Sequence, residues 1–140
     1  INVMNEYGVP SEGTALADVE LNHMYESYLL DKHIYYILTI ENKIVGGAGI
    51  APLKNSDKNI CELQKMYFLP VARGKGLGSL MIKKCIDYAS KSRFEYCYIE
   101  TMHNMINAQK LYKKYGFEFI DSPLGNTGHS SCPVWMLKKL

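Results

Sequence analysis

Short apolar runs alternate with polar breaks through most of the chain, and each run's length and make-up predict its element. Residues 34–40, Ile-Tyr-Tyr-Ile-Leu-Thr-Ile, are β-branched and aromatic and predict a strand. Glu41-Asn42-Lys43 predicts a hairpin turn, with residues 44–51 returning as a second strand. Gly46, Gly47 and Gly49 fall inside that return, where glycines mark a bulge or the close approach of another group. Residues 53–59 are polar and read as a loop, and residues 60–69 predict a third strand closed by Pro70. Over residues 77–92 the period becomes helical, with Leu80, Met81, Cys85, Ile86 and Ala89 on one stripe. Residues 96–101 predict a strand and residues 106–115 a helix ended by Gly116. A short strand over 117–120, a Gly/Asn/Thr/Ser loop over 122–131 and a last strand over 134–137 complete the chain.

Before this region, residues 1–7 read as the tail of a helix ended by Gly8 and Pro10. Residues 16–30 predict a second helix, with Leu21, Met24, Tyr25 and Tyr28 at helical spacing. The order of helices, three consecutive strands, helix, strand, helix and two strands predicts a mixed α/β fold, a twisted sheet covered by helices. The 140 residues fit one domain, and 47% hydrophobic against 21% charged residues is a globular balance.

Charge narrows the candidate partners. Sixteen basic against 14 acidic residues leave +2, too little to expect nucleic acid or an anionic membrane as partner, so any anion site must be local. No apolar run reaches membrane-span length, and no basic-then-apolar leader opens the chain. Cys61, Cys85, Cys97 and Cys132 form neither a CxxC pair nor a metal-ligand spacing with His. Three of them sit in apolar runs, so reduced thiols, no metal and a cytoplasmic location are expected.

The chemistry concentrates in Arg73-Gly74-Lys75-Gly76-Leu77-Gly78-Ser79, between a strand and a helix. Small residues there leave backbone N–H groups free at a helix start, where the dipole favours a phosphate or pyrophosphate. Arg73 and Lys75 add local positive charge. Gly74-Lys75 is followed by Gly76 rather than Ser or Thr, with no suitable glycine upstream, so the nucleotide P-loop does not fit. The dinucleotide pattern GxGxxG fails in the frames that Gly74 and Gly76 offer.

The pattern [Gln/Arg]-x-x-Gly-x-[Gly/Ala] is filled by Arg73, Gly76 and Gly78, and resembles the acetyl-CoA pyrophosphate loop of the GNAT acyltransferase superfamily. Upstream, Met66-Tyr67-Phe68-Leu69-Pro70 resembles that family's fourth strand. Downstream, Ala108-Gln109-Lys110-Leu111-Tyr112-Lys113-Lys114-Tyr115-Gly116-Phe117 resembles its A-x-x-L-Y-x-x-x-G-F signature. The resemblance covers residues 34–140. It implies the GNAT fold, with two central strands splayed apart, in a single domain over residues 1–140 whose first strand is missing from the chain.

The same resemblance implies that acetyl-CoA is the cosubstrate, held by Met66, Tyr67, Phe68, Arg73, Gly74, Lys75, Gly76, Leu77, Gly78, Ser79 and Asn107. The acetyl group would pass directly to a primary amine on a small molecule or on a peptide or protein, and a homodimer is the expected assembly. Tyr112 matches the tyrosine that protonates the leaving thiolate; the alternative is a core tyrosine in a stripe with Leu111 and Tyr115. Glu62 matches the general base of some relatives; the alternative is a solvent-facing strand residue paired with Lys65 or another cation. Glu100, His129 or water could also deprotonate the amine, and Cys132 lacks a visible activating partner. The family's usual asparagine seven residues before the tyrosine is Met105 here, flanked by Asn104 and Asn107. Two other readings stay open: a different acyl-CoA, and a non-catalytic module that binds or senses CoA.

Overall fold

The computed structural model describes residues 1–14, 18, 23–56 and 59–140. Six strands form one sheet, β1 (Ile34–Ile40), β2 (Lys43–Pro52), β3 (Ile60–Phe68), β4 (Tyr96–Thr101), β5 (Glu118–Ile120) and β6 (Val134–Lys139), in the order β1-β2-β3-β4-β6-β5. Every pairing is antiparallel except β3 with β4. A parallel pair needs a crossover, which α3 (Leu77–Lys91) supplies. Among the described residues the remaining helices are α1 (Asn2–Glu6), α2 (Met24–Ser27) and α4 (Ile106–Lys114), with a 3₁₀ turn at Pro70–Ala72. The sheet flanked by helices is the expected α/β fold.

Several boundaries differ from expectation for local reasons. Glu41 and Asn42 both have positive φ, 50° and 64°, and Ile40 faces Lys43 across the turn. The hairpin therefore closes on two left-handed residues, and Lys43 belongs to β2. On α3, Met81, Ile82, Cys85 and Ala89 are buried against Ala48, Ile50, Cys61, Leu63, Cys97 and Ile99. Leu80 is 59% exposed, because one residue of helical rotation before Met81 carries it off the packed face. Of the helix expected over 16–30, residues 15–17 and 19–22 lie outside the described residues, and α2 covers only Met24–Ser27. The chain turns after Ser27, through Lys32 at φ 60°, and Tyr25, Leu29 and Leu30 face solvent rather than a core. Phe117 lies just before β5, buried under the sheet.

Two irregularities in β3 position the groups that line its open side. Gly47 pairs with Tyr67 and Gly49 with Gln64, so Lys65 and Met66 together oppose Ala48, and Lys65 has φ 50°. Two residues opposite one is a β-bulge. It shifts the alternation, so that Cys61 and Leu63 before it, and Met66 and Phe68 after it, join the α3 core. Glu62, Gln64 and Tyr67 take the other face. The second irregularity is that β3 pairs with β4 only through Ile60, Cys61 and Glu62, opposite Tyr96, Cys97 and Tyr98. Beyond Glu62 the two strands part.

Candidate active site

The parting of β3 from β4 opens a wedge. At its inner end a small cavity of about 40 Å³ is lined by, among others, Glu62, Met66, Tyr67, Glu100, Tyr112 and His129. Outward it meets a larger cavity of about 350 Å³ that runs along Met66, Tyr67 and Phe68 to the start of α3. Tyr112, Met66, Tyr67 and Met105 line both.

The start of α3 has the geometry that an anion would need. Gly74 and Gly76 both sit at φ 73°, in the left-handed region that favours glycine, and a Cβ on either would meet nothing within 4 Å. No side chain caps the helix, and no hydrogen bond among the described residues uses the N–H groups of residues 74–79. These donors point where the helix dipole is positive, so a pyrophosphate fits the residues present. Arg73, Gly74, Gly76, Leu77, Gly78 and Asn107 line the large cavity, whereas Lys75 and Ser79 are not among its lining residues. The Arg73 side chain turns back: Nε donates to the Phe68 carbonyl at 2.8 Å and Nη1 pairs with Glu6 at 2.6 Å. Its charge is thus shared with α1, and Nη2 is buried with no hydrogen-bond partner among the described residues. Met105 is buried, and Asn104 donates to the Tyr7 carbonyl at 2.8 Å, which leaves Asn107 as the asparagine at the cavity.

Tyr112 rises from α4 with its ring edge-on to Phe117, centroids 5.9 Å apart. The ring is core, as a stripe with Leu111 implied, yet the residue lines both cavities. Its hydroxyl bonds no described residue. Burial, with the nearby Cys85 and Cys97, raises the phenol well above its usual range, so it carries its proton at neutral pH.

From the opposite face comes a polar cluster. Glu62 is only 4% exposed, which overturns the solvent-facing alternative, and Lys65 pairs with Asp18 at 3.6 Å. One Glu62 oxygen accepts from Gln64 Nε2 at 2.6 Å. Burial, only partly offset by that hydrogen bond and by the charges of His129 and Lys65, pushes the carboxyl up to about 7. Glu100 is occupied on both oxygens, by the Tyr98 hydroxyl and the Thr127 hydroxyl, each at 2.7 Å. His129 lies between Asp18, at 2.8 Å from Nε2, and Glu100, at 3.5 Å from Nδ1. Burial would lower the imidazolium, but hydrogen bonds to Asp18 and Glu100 and the charges of Asp18 and Glu62 outweigh it and carry the group up to about 9. Cys132 lines the same cavity, its thiol pushed up to about 12 by burial and the neighbouring carboxylates. Ligand atoms of Glu62, Glu100 and His129 fall within 4.8 Å of one another, close enough to bridge a cation, although the imidazolium already neutralises this corner.

Sequence reasoning passed over Asp18, Gln64 and Tyr98. The last two were within reach, since each sits two residues from a candidate carboxylate on the same strand face. Asp18 carried no such signal.

Comparison with known proteins points the same way. Residues 3–117 match the model of the acetyltransferase (GNAT) family. The chain is 45% identical over 139 residues to the uncharacterized N-acetyltransferase YjgM of Escherichia coli, covering 99% of this chain and 83% of that protein. An acetyltransferase of the GNAT family from Staphylococcus aureus has the same fold, with a TM-score of 0.76 at 23% identity over 86% of this chain and 76% of its own. A GNAT family acetyltransferase from Elizabethkingia anophelis with acetyl-CoA bound superposes with a TM-score of 0.62 at 19% identity, over 91% of this chain and 88% of its own.

Proposed function

Because the chain belongs to the acetyltransferase (GNAT) family, we propose that it is a single-domain N-acetyltransferase that moves an acetyl group from acetyl-CoA to a primary amine by direct attack in a ternary complex. The observation that carries this reading is the β3–β4 opening, with unclaimed N–H donors at one end and a buried, proton-accepting carboxylate at the other. Acetyl-CoA supplies a thioester, an acyl group activated towards amines.

The residues of the chain do the rest. The N–H groups of residues 74–79 hold the pyrophosphate. From Leu63 to Phe68, β3 pairs with no strand on its β4 side among the described residues, so backbone groups left free there would hold the cofactor arm and polarise the acyl carbonyl, the Phe68 carbonyl excepted because Arg73 already bonds it. Glu62 takes the proton of the arriving ammonium. Its affinity for a proton is matched to neutral pH, and its second oxygen has no hydrogen bond among the described residues. Glu100 and His129 serve less well, the former bonded on both oxygens and the latter already protonated. Tyr112 returns a proton to the leaving thiolate. The Cys132 thiol keeps its proton, which favours direct transfer over an acyl-enzyme.

Calorimetric titration of the chain with acetyl-CoA, with ATP and NAD as controls, tests the cofactor. Thiol release in the presence of a panel of primary amines tests the reaction. Selective binding with amine-dependent release is the expected outcome; a folded chain that binds no acetyl-CoA would overturn the proposal.

A further inference from the structure

We propose that Gln64 is a positioning residue for Glu62. Its side-chain amide, itself held by the Tyr28 hydroxyl, fixes one carboxylate oxygen so that the other faces the cavity where the amine arrives. The inference rests on the reading of Glu62 as the base.

The chemistry of the groups sets the direction of this relay. Gln64 stands two residues beyond Glu62 and shares its face of β3. An ionised carboxylate only accepts hydrogen bonds, so the Gln64 NH₂ must face Glu62, at 2.6 Å. That turns Oε1 towards Tyr28, whose hydroxyl donates to it at 2.6 Å. The Tyr28 oxygen in turn accepts from Lys65 Nζ at 3.4 Å. Donors therefore run one way, from Lys65 through Tyr28 and Gln64 to Glu62. The Tyr28 ring is braced against Tyr35, centroids 5.2 Å apart, and the Tyr35 hydroxyl donates to the Lys65 carbonyl at 2.8 Å. The bulge that gives Lys65 its positive φ also closes this arrangement, since it brings Gln64 and the Lys65 side chain to the same face.

A donor aimed at the ionised form of a buried acid favours that form, so the relay tunes the base as well as aiming it. Other titratable or charged groups around Glu62, among the described residues, are Lys65 and Tyr67 on β3, Tyr98 and Glu100 from β4, Tyr112 from α4, Tyr28 through Gln64, His129 and Cys132 from the loop before β6, and Asp18.

The test is a direct titration of the Glu62 carboxyl in the whole chain labelled with [¹³Cδ]glutamate. The Glu62 signal is assigned by its loss in Glu62→Gln. In Gln64→Met, of similar shape without the donor, the midpoint should rise by about one pH unit. Tyr28→Phe should raise it less, and the double variant no more than Gln64→Met alone. Unshifted midpoints in both single variants overturn the inference, and if Gln64→Met does not fold, Tyr28→Phe decides alone. Failure of the base reading looks different: Glu62→Gln would then acetylate amines at the wild-type rate whatever the midpoints do.

Discussion

Tyr112 and Glu62 reach the β3–β4 opening from opposite faces of the sheet, one from the apolar side packed by α3 and α4, the other from the polar cluster. Each is buried, and burial moves both in the same chemical direction, towards holding a proton. For a phenol that means a proton in hand at neutral pH; for a carboxyl it means a site that gains or loses one there. Tyr112→Phe should therefore lower turnover about a hundredfold, while acetyl-CoA affinity by calorimetry changes little. Thermal stability should also hold, because the hydroxyl removed has no hydrogen bond among the described residues. A variant with wild-type turnover would return Tyr112 to packing alone. For Glu62, the ionised form is the one that acts, so kcat/KM should climb with pH through about 7 and then level. In Glu62→Gln the level falls and the climb disappears, and an unchanged profile would pass the role to another group.

At the scale of elements, glycines in β2 and at the head of α3 do opposite jobs. Gly47 makes room within the protein: a Cβ there would lie 2.6 Å from the Tyr35 ring, which crosses Gly47 and Gly49 on its way to the Lys65 carbonyl. Gly47→Ala should cost about 2 kcal/mol in denaturant unfolding, and loosen the relay behind Glu62. Gly76 makes room for something outside the protein. Its Cβ would touch nothing of the chain, so Gly76→Asp should leave the fold with only about 1 kcal/mol of left-handed strain. Acetyl-CoA binding should nevertheless drop at least tenfold, by the carboxylate set against pyrophosphate, and calorimetry reads the loss. These two glycine groups were legible in the sequence, one as a strand anomaly and the other as an anion motif, as were nearly all the strands and α3 and α4. The bulge was written there too. In Cys61-Glu62-Leu63-Gln64-Lys65-Met66-Tyr67-Phe68 the apolar alternation slips by one place at Lys65. The parting of β3 from β4 was implied only by the family resemblance and by no local pattern, because strand pairing depends on neighbours far along the chain. Nor could sequence supply Asp18, whose bonds to Lys65 and His129 span segments with no shared pattern.

Across the whole molecule the polar cluster ties β3, β4, Asp18 and the loop before β6 through groups that hold extra protons when folded, and this gives stability a pH dependence of definite sign. Glu62 moves from 4.5 to about 7 on folding, and His129 from 6.5 to about 9. Both shifts are upward, so in these intervals the folded chain binds more protons than the unfolded one, and unfolding becomes easier as pH rises. The Glu62 contribution is fully present below 4.5 and lost as pH climbs through about 7; that of His129 is fully present below 6.5 and lost through about 9. The melting temperature should thus decline from pH 5 to pH 9, against the common expectation of a maximum that extends to pH 8. Glu62→Gln should flatten the first part of the decline and His129→Gln the second, because each removes one titration and leaves the other. A melting temperature that rises across this range in the wild-type chain would mean that His129 is neutral in the folded chain. That outcome would also reopen His129 as a proton acceptor, since a neutral imidazole flanked by Glu100 has a lone pair to offer the amine.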